Sequence, residues 1–110
     1  MKLAIALLAL AVTPALAHIA FEGATIADGA SVKDPGEVRL QFSENLEPGV
    51  STAVISDAEG KPVVVSHARG GHTIALRPKA LKPGVYTVSW HGTGHNLHRV
   101  TGRIRFNVVP

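Results

Sequence analysis

Residues 81–90 read LKPGVYTVSW, and they say more about the architecture than any other part of the chain. The pair Pro83-Gly84 predicts a turn, because proline fixes its own φ and glycine accepts conformations closed to other residues. After this turn, Tyr86, Val88 and Trp90 alternate with smaller or polar residues. Successive side chains of a β-strand point to opposite faces, so the spacing predicts one strand with a buried, partly aromatic face.

A tyrosine that follows a turn and leads a long strand resembles the tyrosine corner of immunoglobulin-like sandwiches. Elsewhere, short alternating runs are separated by turns at intervals of about 8–12 residues, which is typical of the same architecture. In residues 37–42, for example, Val38, Leu40 and Phe42 share one face, and residues 103–108 repeat the pattern. No segment shows a helical period with caps. The sequence therefore predicts an all-β fold, an immunoglobulin-like Greek-key β-sandwich of about seven strands.

Turn signals bound the other predicted strands. Asp28-Gly29 and residues 57–60 contain Asp and Gly, which favour turns because Asp hydrogen-bonds its own backbone and Gly accepts positive φ. The second turn is expected to join two paired strands as a hairpin. These further strands are predicted at residues 19–26, 53–56, 62–67 and 72–76.

The first 17 residues have the composition of a secretory signal peptide. Lys2 precedes an apolar run, and the segment ends in Ala15-Leu16-Ala17. The apolar run is shorter than the roughly 20 residues of a transmembrane helix, and a retained membrane anchor is the alternative interpretation. We therefore expect a signal peptide at residues 1–17, one domain at residues 18–110, and a periplasmic location.

Composition excludes several kinds of chemistry. The chain has no cysteine, so thiolate metal sites, cysteine nucleophiles and dithiol redox reactions are excluded. The formal net charge is +3 at pH 7, and export argues against nucleic acid as the partner. Part of the positive charge lies on the last predicted strand, at Arg99, Arg103 and Arg105. This pattern is typical of a solvated strand face, and a docking surface for an acidic partner is the alternative.

Histidines concentrate near the C-terminus, where His91, His95 and His98 fall within eight residues. Imidazole is a common metal ligand, and its neutral form is available at neutral pH. Cleavage after residue 17 would make His18 the first residue, whose α-amine and ring nitrogen together chelate a metal. A nitrogen-rich, tetragonal site suits Cu(II). We hypothesise that the fold brings His18 and His98 together around copper; the alternative is that both are ordinary surface residues.

From residue 18 to residue 109 the chain resembles the CopC family of periplasmic copper-binding and copper-resistance proteins. Each motif behind the resemblance is weak alone, but together they are specific. The motifs are His18 after the signal, Ala27-Asp28-Gly29, Val38-x-Leu40-x-Phe42-Ser43-Glu44, Leu81-x-Pro83-Gly84-x-Tyr86-x-Val88-x-Trp90 and His98-x-Val100-Thr101-Gly102-x-x-x-Phe106.

The resemblance implies a Cu(II) site made from the amine and ring of His18 and from an Asp-x-His pair that opens the last strand. His98 matches the histidine of that pair, whereas Asn96 stands where the family has Asp. Its neutral amide is expected to weaken binding tenfold or more, since a unit-charge pair at 4 Å interacts by about 4 kcal/mol at an effective dielectric constant of 20. His95, on the same loop, is a candidate replacement donor.

Some relatives carry a Met-rich Cu(I) site, but the only methionine here is Met1. His67 and His72 occupy that general region, and we interpret both as surface or strand-edge residues rather than ligands. The resemblance further implies a CopD-like inner-membrane copper transport protein as a partner.

The leading prediction is a periplasmic Cu(II) carrier or buffer in copper resistance or homeostasis, without enzymatic activity. One alternative is an immunoglobulin-like interaction module that has lost or weakened metal binding, for which Asn96 is the best argument. A second is a histidine-brace copper monooxygenase. Such enzymes usually need a flat aromatic surface, whereas this chain has one Trp, one Tyr and three Phe, most of them predicted in the core.

Overall fold

The structure, a computed structural model, describes residues 19–110, so the predicted signal peptide and His18 lie outside the described residues. This part of the chain forms two sheets of four strands, ordered β1-β3-β6-β5 and β2-β8-β7-β4. Between residues 19 and 110 we find no helix, and so none that is long and apolar enough to cross a membrane. The strands are β1 (Phe21–Ala24), β2 (Ser31–Val32), β3 (Val38–Phe42), β4 (Thr52–Ser56), β5 (Val65–Gly70), β6 (Thr73–Pro78), β7 (Gly84–Thr93) and β8 (Arg99–Val108).

The predicted all-β sandwich is confirmed, with eight strands where about seven were expected. The additional strand is β2, which contains two residues and pairs in parallel with the end of β8. Two residues are too few to show an alternating pattern, so the sequence gives no sign of this strand.

The tyrosine corner is present at the start of β7. The Tyr86 hydroxyl donates a hydrogen bond of 2.7 Å to the carbonyl oxygen of Lys82, before the turn. Its ring stacks on Phe106 of β8, with ring centroids 5.7 Å apart. Tyr86, Val88 and Trp90 all point inward, as their spacing predicts.

The hairpin expected around residues 57–60 is present but short: Asp57 N–H donates to the carbonyl of Lys61 and Val63 N–H to that of Ile55, both at 2.8 Å. Asp57 Oδ1 accepts hydrogen bonds of 2.9 Å from the backbone N–H groups of Glu59 and Lys61. Beyond it, the two chain segments share the isolated bridge between Ser56 and Pro62. Proline has no N–H to extend a ladder. The chain then crosses to the other sheet, where β5 pairs with β6 and begins later than predicted.

One hydrophobic core fills the space between the sheets. Trp90 packs against Gly102 so closely that a Cβ at residue 102 would lie 2.6 Å from Trp90 Cζ2. Phe21 of β1 covers the other side of the indole at 4.4 Å between ring centroids. The buried core residues are Ile19, Ile26, Val38, Leu40, Phe42, Ala53, Ile55, Ile74, Leu76, Tyr86, Val88, Trp90, Ile104, Phe106 and Val108.

Several connections meet at one end of the sandwich, around the segment 43–46 that follows β3. Ser43 exchanges two hydrogen bonds with Ala20, one from its backbone N–H at 2.9 Å and one to its hydroxyl at 2.8 Å. Leu46 donates its N–H to the carbonyl of Gly71, in the β5–β6 turn, and forms an isolated bridge with Gly94. The segment therefore lies between the β5–β6 and β7–β8 hairpins, beside the first described residues.

Candidate metal centre

The loop between β7 and β8 contains only residues 94–98, because both strands run further than their sequence patterns show. Gly94 N–H donates to the carbonyl of His98 at 2.9 Å, and Leu97 N–H donates to the carbonyl of Gly94 at 2.8 Å. The loop is thus a closed, hydrogen-bonded turn. His91 belongs to β7 instead, where it pairs with Thr101 and is half-buried.

Asn96 and His98 are brought together by this turn. Asn96 Nδ2 lies 3.3 Å from His98 Nδ1, and Asn96 Oδ1 accepts a hydrogen bond of 3.3 Å from the backbone N–H of His98. Between them, Leu97 has a φ of 65°. This left-handed conformation costs a non-glycine residue about 1–2 kcal/mol. The strained residue gives the chain the bend that places the two side chains on one side of the loop.

Glu44 lies directly under the loop, and it is the candidate site residue that the sequence analysis did not select. Its side chain is 18% exposed, and its Oε1 lies 3.4 Å from His95 Nδ1. Among the described residues this buried oxygen has no hydrogen-bond partner. A Cβ at Gly94 would be 2.5 Å from the same oxygen and 3.4 Å from Ile19 Cβ. Glu44, Gly94 and the first described residue therefore meet at one point.

The sequence does contain a signal for Glu44. Val38, Leu40 and Phe42 point into the core, and a further step of two residues along the same strand direction reaches Glu44. A charged residue at the next inward position is unusual, because burying a carboxylate without a partner is costly. The sequence analysis used Glu44 only as part of a family motif, so its position beside the loop was not predicted.

A pair of buried hydroxyl groups holds the β3–β4 connection against the end of β7. Thr93 N–H donates to Ser51 Oγ at 3.0 Å, and the Thr93 hydroxyl donates to the carbonyl of Val50 at 3.2 Å. Glu47 N–H donates to the carbonyl of Thr93 at 2.7 Å. These bonds fix the segment that carries Glu44 relative to the loop that carries His95.

His67 and His72 lie apart from the β7–β8 loop and Glu44. His67 lies on β5, with Nε2 3.4 Å from the carbonyl oxygen of Ala53 on β4 of the opposite sheet. His72 is exposed in the β5–β6 turn, where its carbonyl accepts a hydrogen bond from Phe42 N–H. His18 lies outside the described residues. Within residues 19–110, no three His, Cys, Asp or Glu side chains form a group that could hold a metal ion.

Comparison with known proteins gives consistent results for family and fold. The family model described as CopC domain matches residues 21–109. Copper resistance protein C of Pseudomonas syringae pv. tomato is 31% identical over 104 residues, covering 86% of this chain and 82% of that protein. Copper resistance protein C of Xanthomonas campestris pv. juglandis is 30% identical over 109 residues, covering 90% and 86%.

Comparison with solved structures gives the same result for the fold. PcoC, described as a methionine-rich copper resistance protein from Escherichia coli, superposes with a TM-score of 0.75 at 27% identity, covering 84% of this chain and all of that one. CopC from Methylosinus trichosporium OB3b gives the same TM-score and identity, covering 84% of this chain and 95% of that one. The methionine content named for PcoC is not shared, since this chain has one methionine.

Proposed function

This chain belongs to the CopC family of copper resistance proteins, and on that premise we propose that it binds Cu(II) in the periplasm as a carrier or buffer. The proposed ligands are His18, through its α-amine and ring, and His98. Asn96 and His95 flank the ion, and Glu44 supplies the negative charge that Asn96 does not. The predicted signal peptide is the basis for the location.

The buried oxygen of Glu44 is the observation that carries this proposal. A carboxylate oxygen withdrawn from water and without a hydrogen bond is unfavourable unless a cation or a donor reaches it. His95 approaches it from the loop, and Ile19 packs beside the same point. His18 directly precedes Ile19 in the chain. A cation bound by the N-terminal residue would therefore be close to a carboxylate oxygen that has no hydrogen bond among the described residues and only a 3.4 Å contact with His95.

The loop places a second side-chain donor beside His98. Two ligands at right angles around one ion, each about 2.0 Å away, are about 2.8 Å apart. The 3.3 Å contact between the two side chains joins Asn96 Nδ2 to His98 Nδ1, and an amide nitrogen donates hydrogen bonds rather than binding a metal. Turning the Asn96 amide about its Cβ–Cγ bond would exchange Nδ2 for Oδ1, so that both side chains could reach the same ion.

Exposure of the loop favours transfer of the ion rather than permanent retention. His95, Asn96 and His98 are all exposed, and the His95 side chain has 77% of its surface accessible. A partner protein can therefore approach the ligands directly. A CopD-like membrane copper transport protein is the partner we propose.

We propose no bond-making or bond-breaking reaction at this site. A histidine-brace oxygenase would need an aromatic surface beside the metal, whereas Phe42 and Phe106 are fully buried and Tyr86 and Trp90 are each 7% exposed. These rings are part of the core and are not available to hold a substrate.

The direct test changes only the position of the N-terminal amine. The exported protein is first sequenced from its N-terminus, which should begin at His18. Inserting one Ala before His18 keeps every side chain but removes the amine from the chelate ring. Cu(II) affinity, measured by competition with a chelator, should fall at least about 100-fold, since loss of an outer-shell partner alone costs 10–100-fold. The matched control adds the same Ala after Pro110. If the N-terminal insertion leaves the affinity unchanged, the proposed ligand set is wrong.

A further inference from the structure

A line of arginines runs along the outer face of the sheet β2-β8-β7-β4, starting beside the loop of residues 94–98. Arg99, Arg103 and Arg105 of β8 are all exposed, as is Thr101 on the same face, whereas the residues that alternate with them point inward or are half-buried. Six residues of strand separate the first arginine from the last, which corresponds to about 20 Å. We call these three residues the arginine stripe. Arg99 directly follows His98 in the chain.

The stripe has no compensating charge on its own sheet. Strands β2, β4, β7 and β8 contain no Asp or Glu. Among the ion pairs formed by residues 19–110, none includes a stripe arginine. Asp28 lines a surface cavity of about 360 Å³ with Arg103 and Arg105, but its Oδ1 accepts the backbone N–H of Arg105 at 2.9 Å.

The outer face of the opposite sheet is arranged differently. There, Arg39 and Arg77 both contact Glu37, at 2.6 and 3.3 Å. The hydrogen bond from Arg39, with the charges of both arginines, holds the pKa of Glu37 below its usual value. Among the described residues, Arg39 and Arg77 are therefore paired with an acid, whereas the stripe arginines form no ion pair and have Asp28 as an acidic neighbour near Arg103 and Arg105.

Neighbouring side chains leave the stripe accessible to a flat partner. Arg103 and Arg105 pair across the ladder with Ser89 and Thr87 of β7, which are small and polar. Ser89 in turn pairs with Val54 of β4, which is 39% exposed. A partner can thus contact the guanidinium groups and a small apolar area together.

We propose that the arginine stripe is a docking surface for an acidic protein. Three guanidinium groups in a line match carboxylates on a partner, because arginine binds carboxylate through two parallel hydrogen bonds. A membrane surface fits less well, since the face lacks the Trp and Tyr side chains that anchor proteins at lipid interfaces. A partner held on the stripe lies beside the loop that carries His98.

The test compares two double variants of the whole exported protein, without copper. Arg103→Gln with Arg105→Gln removes two charges from the stripe, and Arg39→Gln with Arg77→Gln removes two from the opposite sheet. A fluorescent oligoglutamate peptide is the acidic probe, and vesicles containing phosphatidylglycerol are the lipid probe. The stripe variant should bind oligoglutamate about tenfold more weakly at low salt, because aligned charges raise association rates by at least this factor. The control variant should change binding less than about twofold.

Amide chemical shifts provide a second measurement. Oligoglutamate should shift resonances of β7 and β8 on the stripe face and leave those of β3 and β6 in place. The proposal is overturned if the two variants lose binding equally, since net charge alone would then explain it. It is also overturned if vesicles bind and oligoglutamate does not. The stripe variant should keep its Cu(II) affinity, so this result is independent of the copper proposal.

Discussion

The hairpins β5–β6 and β7–β8 approach the segment 43–46 from opposite sides, and both carry histidines, yet they use them differently. In β5–β6, His67 and Arg69 reach across the open side of the sandwich to the carbonyl oxygens of Ala53 on β4 and of Ser51 just before it. Their side chains occupy backbone acceptors of an edge strand, which would otherwise be open to pairing with another chain. In this hairpin, His67 and Arg69 therefore protect the edge strand β4.

In β7–β8, the loop lies above the half-buried carboxylate of Glu44 and beside the first described residue. The segment 43–46 is the source of this difference, because its side chains alternate. Glu44 faces Gly94 and His95, whereas Asn45 faces Gly71, whose Cβ position lies 3.8 Å from Asn45 Oδ1. In the proposed copper site, a carboxylate and a second side-chain donor lie beside the histidines of the β7–β8 loop, so the proposal rests on more than a group of histidines.

The largest expected effect is a difference in Cu(II) affinity between variants of the histidines in the two hairpins. His98→Ala should lower Cu(II) affinity at least about 100-fold, because it removes one of the proposed direct ligands. His67→Ala and His72→Ala should each change affinity less than about threefold, since neither lies at the loop. Competition titration with a copper chelator measures all three. Equal losses in the three variants would show that the hairpins are equivalent and the site is misplaced.

A smaller effect on Cu(II) affinity is expected when the charge at Glu44 or at Asn96 is changed. Glu44→Gln should weaken Cu(II) binding about tenfold, and Asn96→Asp should strengthen it about tenfold, because each changes one charge near the ion. The double variant should return close to the original affinity if either carboxylate can supply the charge. Isothermal titration at fixed ionic strength measures the four proteins.

Asn45→Asp is the matched control for this cycle. It adds the same charge one residue from Glu44, but on the side of the β5–β6 hairpin. Its effect on affinity should be less than about threefold, because an exposed charge at that distance is screened by salt. If Asn45→Asp matches Asn96→Asp, the gain comes from net charge and Glu44 has no special position.

The smallest expected effect is a loss of stability when the contact of Arg69 in the β5–β6 hairpin is removed. Arg69→Ala removes the 2.9 Å hydrogen bond to Ser51 and should lower the free energy of unfolding by about 1 kcal/mol. For a domain of this size, the melting temperature should fall by about 4–8 °C. Arg77→Ala, an exposed arginine on the adjacent strand, should change stability by less than about 1 kcal/mol. Thermal unfolding followed by circular dichroism measures both, and a loss of copper affinity in Arg69→Ala would contradict the division between the hairpins.

Local patterns were sufficient for most of the fold. Period-two alternation predicted β3, β7 and β8, and the Pro83-Gly84 turn with Tyr86 predicted the tyrosine corner. The pairing of β5 was not predicted, because the turn at residues 57–60 looks the same whether the chain returns in one sheet or crosses to the other. Strand partners depend on contacts distant in sequence, which periodicity does not report.

The candidate site, like the fold, has a part that the sequence predicted and a part that depends on contacts distant in sequence. The resemblance to the CopC family selected Asn96 and His98, which are two residues apart and in contact. Glu44 is about fifty residues away, and only the folded sandwich brings it under the loop. The copper role of His18 remains a prediction, since this residue lies outside the described part of the chain.

The contact between Gly94 and Glu44 makes the two positions dependent on each other during evolution. While Glu44 is present, a side chain at residue 94 would lie 2.5 Å from its oxygen, so the Glu44 side chain would have to leave its place under the loop. Once a lineage replaces the acid with a smaller residue, position 94 becomes free to gain a side chain. That side chain then occupies the space of the former carboxylate, and restoring Glu44 alone is disfavoured in turn. The order of two substitutions thus decides whether the loss of the carboxylate is reversible.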